Sequence, residues 1–144
     1  MMFLSSDLAR AARFQSIEIF ANETCKYALP FRPVGKVGVS NRFAAVDFCL
    51  AIVTGHLRGF GIPTSGVARQ LEKLDRTALE VAIEQLQDGK ISEIFVGISP
   101  VLSWEDDFSG VFTNRAAVAD ALVDLDLVII SVGDRLQTRL MGDC

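Results

Sequence analysis

The chain has 144 residues, 50% of them hydrophobic, enough for one ordinary domain or two very small ones that share a core. No stretch reaches the roughly 18 uninterrupted apolar residues of a membrane helix, and no basic segment leads into a long apolar run with a small-residue cleavage site. No membrane partner is therefore expected, and the reading is cytoplasmic. The net charge of −4 opposes nucleic-acid binding on average, because affinity for phosphates comes from Lys and Arg. The average hides an asymmetry, since residues 1–43 carry six basic and three acidic residues while the rest carry eight and fifteen. Only the N-terminal part suits DNA electrostatically.

Ser5 or Ser6 is expected to cap a first short helix through Phe14, with Asp7 at its positive end and Leu8, Ala11 and Ala12 on one face. A break at Phe14-Gln15-Ser16 precedes a second helix with Ile17, Phe20 and Ala21 at helical spacing. Pro30, Pro33, Gly35 and Gly38 then interrupt regular structure around Lys36, and Val37 to Phe43 reads as a short extended piece, together the pattern of a wing. Val46, Cys49, Leu50, Val53 and Leu57 form one buried stripe and predict the clearest helix, ended by Gly59 and Gly61. Pro63-Thr64-Ser65 opens another helix with Val67, Leu71 and Leu74 inward. Asp75 caps a third, with Leu79, Ile83 and Leu86 inward until Gly89.

Beyond Lys90 the pattern turns β-rich. Ile91 to Ile98 and Ser109 to Thr113 predict a hairpin around a polar loop with Pro100 and Glu105-Asp106-Asp107. Asn114 caps a helix through Val123 with Val118 and Leu122 on one face. Leu127 to Ile130 is a strand too apolar for an exposed sheet surface, and Asp134 to Met141 a final short helix. The fold class is thus α+β: residues 1–89 as an N-terminal winged helix-turn-helix with additional helices, and residues 90–144 as a small hairpin, helix and strand part for self-association or partner contact.

The run Asp7-Leu8-Ala9-Arg10-Ala11-Ala12-Arg13-Phe14, followed by Ile17 and Ile19, resembles the opening of MerR-type DNA-binding domains. Asn41-Arg42-Phe43, Asp47, the helix to Leu57, and Arg58-Gly59-Phe60-Gly61-Ile62 follow in the order of that family's wing, next helix and joint. The resemblance covers roughly the first half of the chain. It departs at Arg13, where the family usually has glycine, and at Phe20 and Ala21, where arginine-tyrosine type residues are usual. The helix ending at Gly89 is also shorter than the family's dimerisation helix. Phage terminase small subunits, which carry a similar winged helix, are a second relative in this reading.

The resemblance implies a DNA-binding transcriptional regulator or accessory factor, bacterial or phage, with double-stranded DNA as partner. Gln15, Ser16, Glu18 and Asn22 are the expected base readers: Gln and Asn suit adenine and Glu accepts from cytosine. Arg10, Arg13, Lys36 and Arg42 are expected on phosphates. The alternatives are a protein-interaction module of the same architecture that has lost DNA affinity, its acidic C-terminal part docking a basic partner, or a packaging factor like the terminase subunits. A homodimer through the C-terminal α+β part or through a rearranged helix pair is a further expectation.

No enzyme is expected, because His56 is the only histidine and has no triad partner nearby in sequence. No cofactor or metal is expected either. Glu105-Asp106-Asp107 lacks the alternating ligands of a calcium loop, Gly35-Lys36-Val37-Gly38 lacks the full phosphate-loop spacing, and Cys25, Cys49 and Cys144 form no CxxC pair. Trp104 either covers the hairpin or anchors a partner.

Overall fold

Phe3 sets the frame of the N-terminal half. In this computed structural model, which describes residues 2–37, 40–99 and 108–142 but not the side chains of 36, 37, 40 and 138–142, it is fully buried. Its ring stacks on Phe48 with centroids 4.3 Å apart. It belongs to a two-residue strand, β1 (Phe3–Leu4), that no alternation in the sequence announces. Trp104, Pro100, Glu105, Asp106, Asp107, Gly38 and Cys144 lie outside the described residues.

The architecture is mixed α+β, with helices and two small antiparallel sheets. The chain divides into two compact units, Met1–Glu72 and Lys73–Cys144. The division falls before the helix that ends near Gly89.

In the N-terminal unit, α1 (Ser5–Ala11) and α2 (Ile17–Tyr27) are separated by a tight turn. β2 (Gly35–Val37) and β3 (Ser40–Phe43) form a hairpin, and β3 lies between β1 and β2. α3 (Ala45–Gly59) and α4 (Thr64–Lys73) follow. The expected stripe on α3 is buried, Cys49, Val53 and Leu57 completely. Phe14, Phe20, Phe31 and Phe43 form an aromatic cluster within the same core, with Phe20 at 5.9 Å from Phe14, 5.3 Å from Phe31 and 6.4 Å from Phe43. Burying such rings stabilises by about 1.5–3 kcal/mol each. Asp47, completely buried, accepts the Arg32 amide at 3.3 Å through Oδ1, which ties the loop after α2 to the first turn of α3.

Two expectations in this unit need correction. The cap of α1 is not Ser5 or Ser6, both already helical; Asp7 reaches back instead and its Oδ2 accepts the Leu4 amide at 2.9 Å. On α2 only Phe20 is buried, whereas Ile17 is 49% exposed and Ala21 is also exposed. With one aromatic filling the space beneath, the helix leaves its first turn outside.

The C-terminal unit carries α5 (Arg76–Gln87), capped by Asp75, whose Oδ1 accepts the Ala78 amide at 3.0 Å, and ended at Gly89, where φ is +74°. β4 (Phe95–Ile98) pairs with β5 (Ser109–Phe112), the expected hairpin, and on its other side with β6 (Val128–Ser131). α6 (Arg115–Asp124) links the two outer strands, and α7 (Gly133–Gly142) closes the chain. The strand expected from Ile91 starts only at Phe95. β6 is an edge strand in which Ile130 is buried while Val128 and Ile129 are half-buried. Leu122 is not inward but 46% exposed, because α6 rests on its unit through Ala117, Val118 and Ala121 only.

Candidate nucleic-acid interface

The turn between α1 and α2 is built from both sides. Arg13 takes φ +61°, the left-handed conformation that glycine adopts at no steric cost. A β-carbon there costs roughly 1–2 kcal/mol, so something must hold the turn. Arg58, in the last turn of α3, does so: its Nη1 donates to the carbonyls of Ala12 at 2.9 Å and Arg13 at 2.8 Å. Its guanidinium lies 4.0 Å from the Phe14 ring centroid. These are C-terminal carbonyls of α1, which have no partner inside the helix.

Two glycines of α3 complete the joint. A β-carbon at Gly55 would collide with the Ala11 carbonyl oxygen and lie 3.2 Å from Arg13 Cγ, and one at Gly59 would collide with Arg13 Nη1. The Arg13 side chain therefore runs back along α3. Arg58 was present in the sequence reading only as part of the joint; its partners lie 45 and 46 residues away, and no local pattern points to them.

Beyond the turn, Ser6, Ala9, Arg10, Phe14, Gln15, Ser16 and Ile17 line an open concavity of about 280 Å³ at the start of α2. Three of the expected site residues, Arg10, Gln15 and Ser16, thus meet in one place. Ser16 is the N-cap of α2, its Oγ accepting the Ile19 amide at 3.1 Å; its hydroxyl proton is what it has left to donate to an anion. Glu18 and Asn22, one helical turn apart, lie exposed on α2. Glu18 places a carboxylate in the first turn, where an arriving anion would also be drawn.

The other expected cations are placed differently. Arg13 is exposed, with its side chain running along the α3 face past Gly55 and Gly59. Arg42 is exposed on β3, opposite Leu4 on one side and Gly35 on the other. Lys36 stands opposite Asn41 in the β2–β3 register, with its side chain outside the described residues. The N-terminal unit holds eight basic and five acidic residues, a charge of +3, and the C-terminal unit six and thirteen, a charge of −7.

Phe20 and Phe31, 3% and 6% exposed, form no apolar surface. Ile17, Ile19 and Val34 do protrude, at 49%, 39% and 57% exposure. Cys49 is inert, its thiol pushed up to about 12 by desolvation, whereas Cys25 is exposed on α2. Among the described residues no group of His, Cys, Asp and Glu is arranged to hold a metal ion, and no helix is long and apolar enough to cross a membrane.

A scan against protein-family models finds no match, and no curated protein matches the chain.

Proposed function

We propose that this protein is a DNA-binding regulator or accessory factor of MerR-like type and not an enzyme, with α1 and α2 as its helix-turn-helix and β2–β3 as its wing. The observation that supports this reading is the meeting of Arg10, Gln15 and Ser16 in one concavity at the amino end of α2. A DNA phosphate seated there gains the Arg10 guanidinium, the Ser16 hydroxyl and the positive end of an 11-residue helix. Gln15 and Asn22 then face base edges, and Ile17 suits the methyl group of thymine. Arg42, with Lys36, contacts the backbone beside the groove. Arg13 acts as a structural residue of the turn.

The test is fluorescence anisotropy of the full chain on random duplex DNA across a salt series, with Arg10→Ala and with the Lys36→Ala, Arg42→Ala pair. Each phosphate contact removed lowers the slope of log K against log salt by about 0.9. Arg10→Ala is expected to lower it by one such step and the pair by two. Folded protein that binds no duplex at low salt overturns the reading. A protein-interaction module is the second reading, favoured by the exposure of Ile17, Ile19 and Val34 in the N-terminal unit. Its mark is loss of partner binding on Ile17→Asp with no DNA affinity to lose.

A further inference from the structure

We propose that the open edge of β6 takes up an extended segment of a basic partner protein, which adds antiparallel to the three-stranded sheet as its fourth strand. The hydrogen bonds of β4 divide by parity. The Ser99 amide donates to the Phe108 carbonyl at 3.0 Å and the Val132 amide to the Ile94 carbonyl at 3.1 Å. In the observed registers the odd residues of β4 therefore bond to β5 and the even ones to β6. Val128 and Ile130 are turned to β4, while Ile129 and Ser131 direct their backbone N–H and C=O groups to the open side. No hydrogen bond to those groups is found among the described residues. An edge of this kind is ordinarily guarded by charge, proline or a bulge. Leu127 to Val132 holds no charged residue and no proline, and the β6 register runs without a bulge. The other edge is less suited, because Gly110 stands within β5 with the Phe108 ring folded against it.

Charge decides what kind of strand fits. Asp124 and Asp126, both exposed, stand just before Leu127, with exposed Asp120 one turn earlier on α6. None of the three has an ion pair among the described residues. Their unit carries −7 in all, which draws a cationic chain toward it. A strand running antiparallel to β6 ends beside Asp124 and Asp126, so basic residues that follow the strand complete the fit. A second copy of this chain fits worse. Paired antiparallel about Ile129, the Asp124–Asp126 end of each copy would meet the Asp134 end of the other, and two units of −7 would be joined.

The probe is a peptide, acetyl-Thr-Val-Thr-Val-Thr-Lys-Lys-amide, titrated to about 2 mM into the isotope-labelled full chain and followed by NMR. Amide shifts centred on Ile129 and Ser131 are expected, with slowed hydrogen exchange at both. Ile129→Pro removes an outward donor without touching the bonds to β4, and is expected to weaken binding at least about fivefold; its folding is checked by the unchanged spectrum of the remaining residues. The same peptide ending in Glu-Glu should bind at least about threefold more weakly, and the Asp124→Lys, Asp126→Lys double variant should reverse that preference. No shift at the highest concentration, shifts confined to the acidic helices, indifference to Ile129→Pro, or equal binding of the two peptides overturns the proposal. So does a wild-type dimer in sedimentation velocity that Ile129→Pro abolishes, since a second copy would then hold the edge. No nucleic acid is present, so the result is independent of the DNA-binding reading.

Discussion

Two glycines four residues apart on α3 are expected to respond very unequally to the same substitution. In Gly55→Ala the new β-carbon meets the Ala11 carbonyl oxygen, a backbone atom of α1 held by a completed helix, and Arg13 Cγ at 3.2 Å. Alanine gains about 1 kcal/mol over glycine in a helix interior, but forcing α1 off α3 costs about 3 kcal/mol, because the interior does not yield without moving neighbours. Net destabilisation of about 2 kcal/mol follows. In Gly59→Ala the obstacle is Arg13 Nη1, the end of a flexible side chain. It can swing away, so the change should lie within about 0.5 kcal/mol of wild type on either side. Urea denaturation followed by circular dichroism measures both, with an unchanged m-value showing that the denatured state is not the cause. Equal effects, or a stabilised Gly55→Ala, would refute the view that α1 is seated in a glycine notch. On the proposed DNA-binding reading, Gly55→Ala would also weaken duplex binding at temperatures where it is still folded, because the turn that positions α2 is displaced.

Arg58→Ala leaves the Ala12 and Arg13 carbonyls without their charged donor and is expected to cost about 2 kcal/mol in the same denaturation assay; a change below about 0.5 kcal/mol would show that the clamp is dispensable. Arg13→Gly should stabilise by about 1 kcal/mol through relief of the left-handed strain, while Arg13→Ala, which keeps the β-carbon, gives no gain; thermal melts separate the two. Cys49 has its thiol raised from 9.0 to about 12 in the folded chain, so its contribution is complete below pH 9 and is lost as pH rises toward 12, when only the unfolded state ionises. Stability should fall by roughly 1 kcal/mol per pH unit above pH 9 in excess of the fall seen in Cys49→Ala. Parallel slopes in the two proteins would contradict complete burial.

The helices were legible because their signals are local. The α3 stripe, the Asp75 and Asn114 caps and the β4–β5 hairpin each occupy a single stretch of chain, and each is found where its pattern lies. What escaped depends on distant partners. β1 is two residues long and exists because β3, some forty residues on, offers it an edge. Arg58 looks like an ordinary helix-end cation until the α1 carbonyls arrive beside it. Ile17 and Ala21 kept helical spacing with Phe20, but periodicity says which residues share a face and not how wide the buried part is. The same limit applies to α6, whose outward face carries the larger apolar residues. At the site, Arg10, Gln15 and Ser16 were adjacent enough in sequence to be grouped, whereas the path of Arg13 depended on two glycines of another helix.

The placement of the cations also constrains how DNA binding would have to work. Arg13 lies along α3, Glu18 opposes an anion at the amino end of α2, and the N-terminal unit carries only +3. With Arg10, Lys36 and Arg42 on phosphates, one copy neutralises about three charges and gives a salt slope of roughly −2.7. The −7 of the C-terminal unit adds repulsion at long range, which salt screens beyond about 10 Å. A single copy should therefore bind weakly and without much discrimination. Two copies held on one duplex would double the slope to about −5 and turn the second contact into an intramolecular one. A slope that stays near −3 in protein shown to be dimeric would mean that only one copy of the pair reaches the duplex.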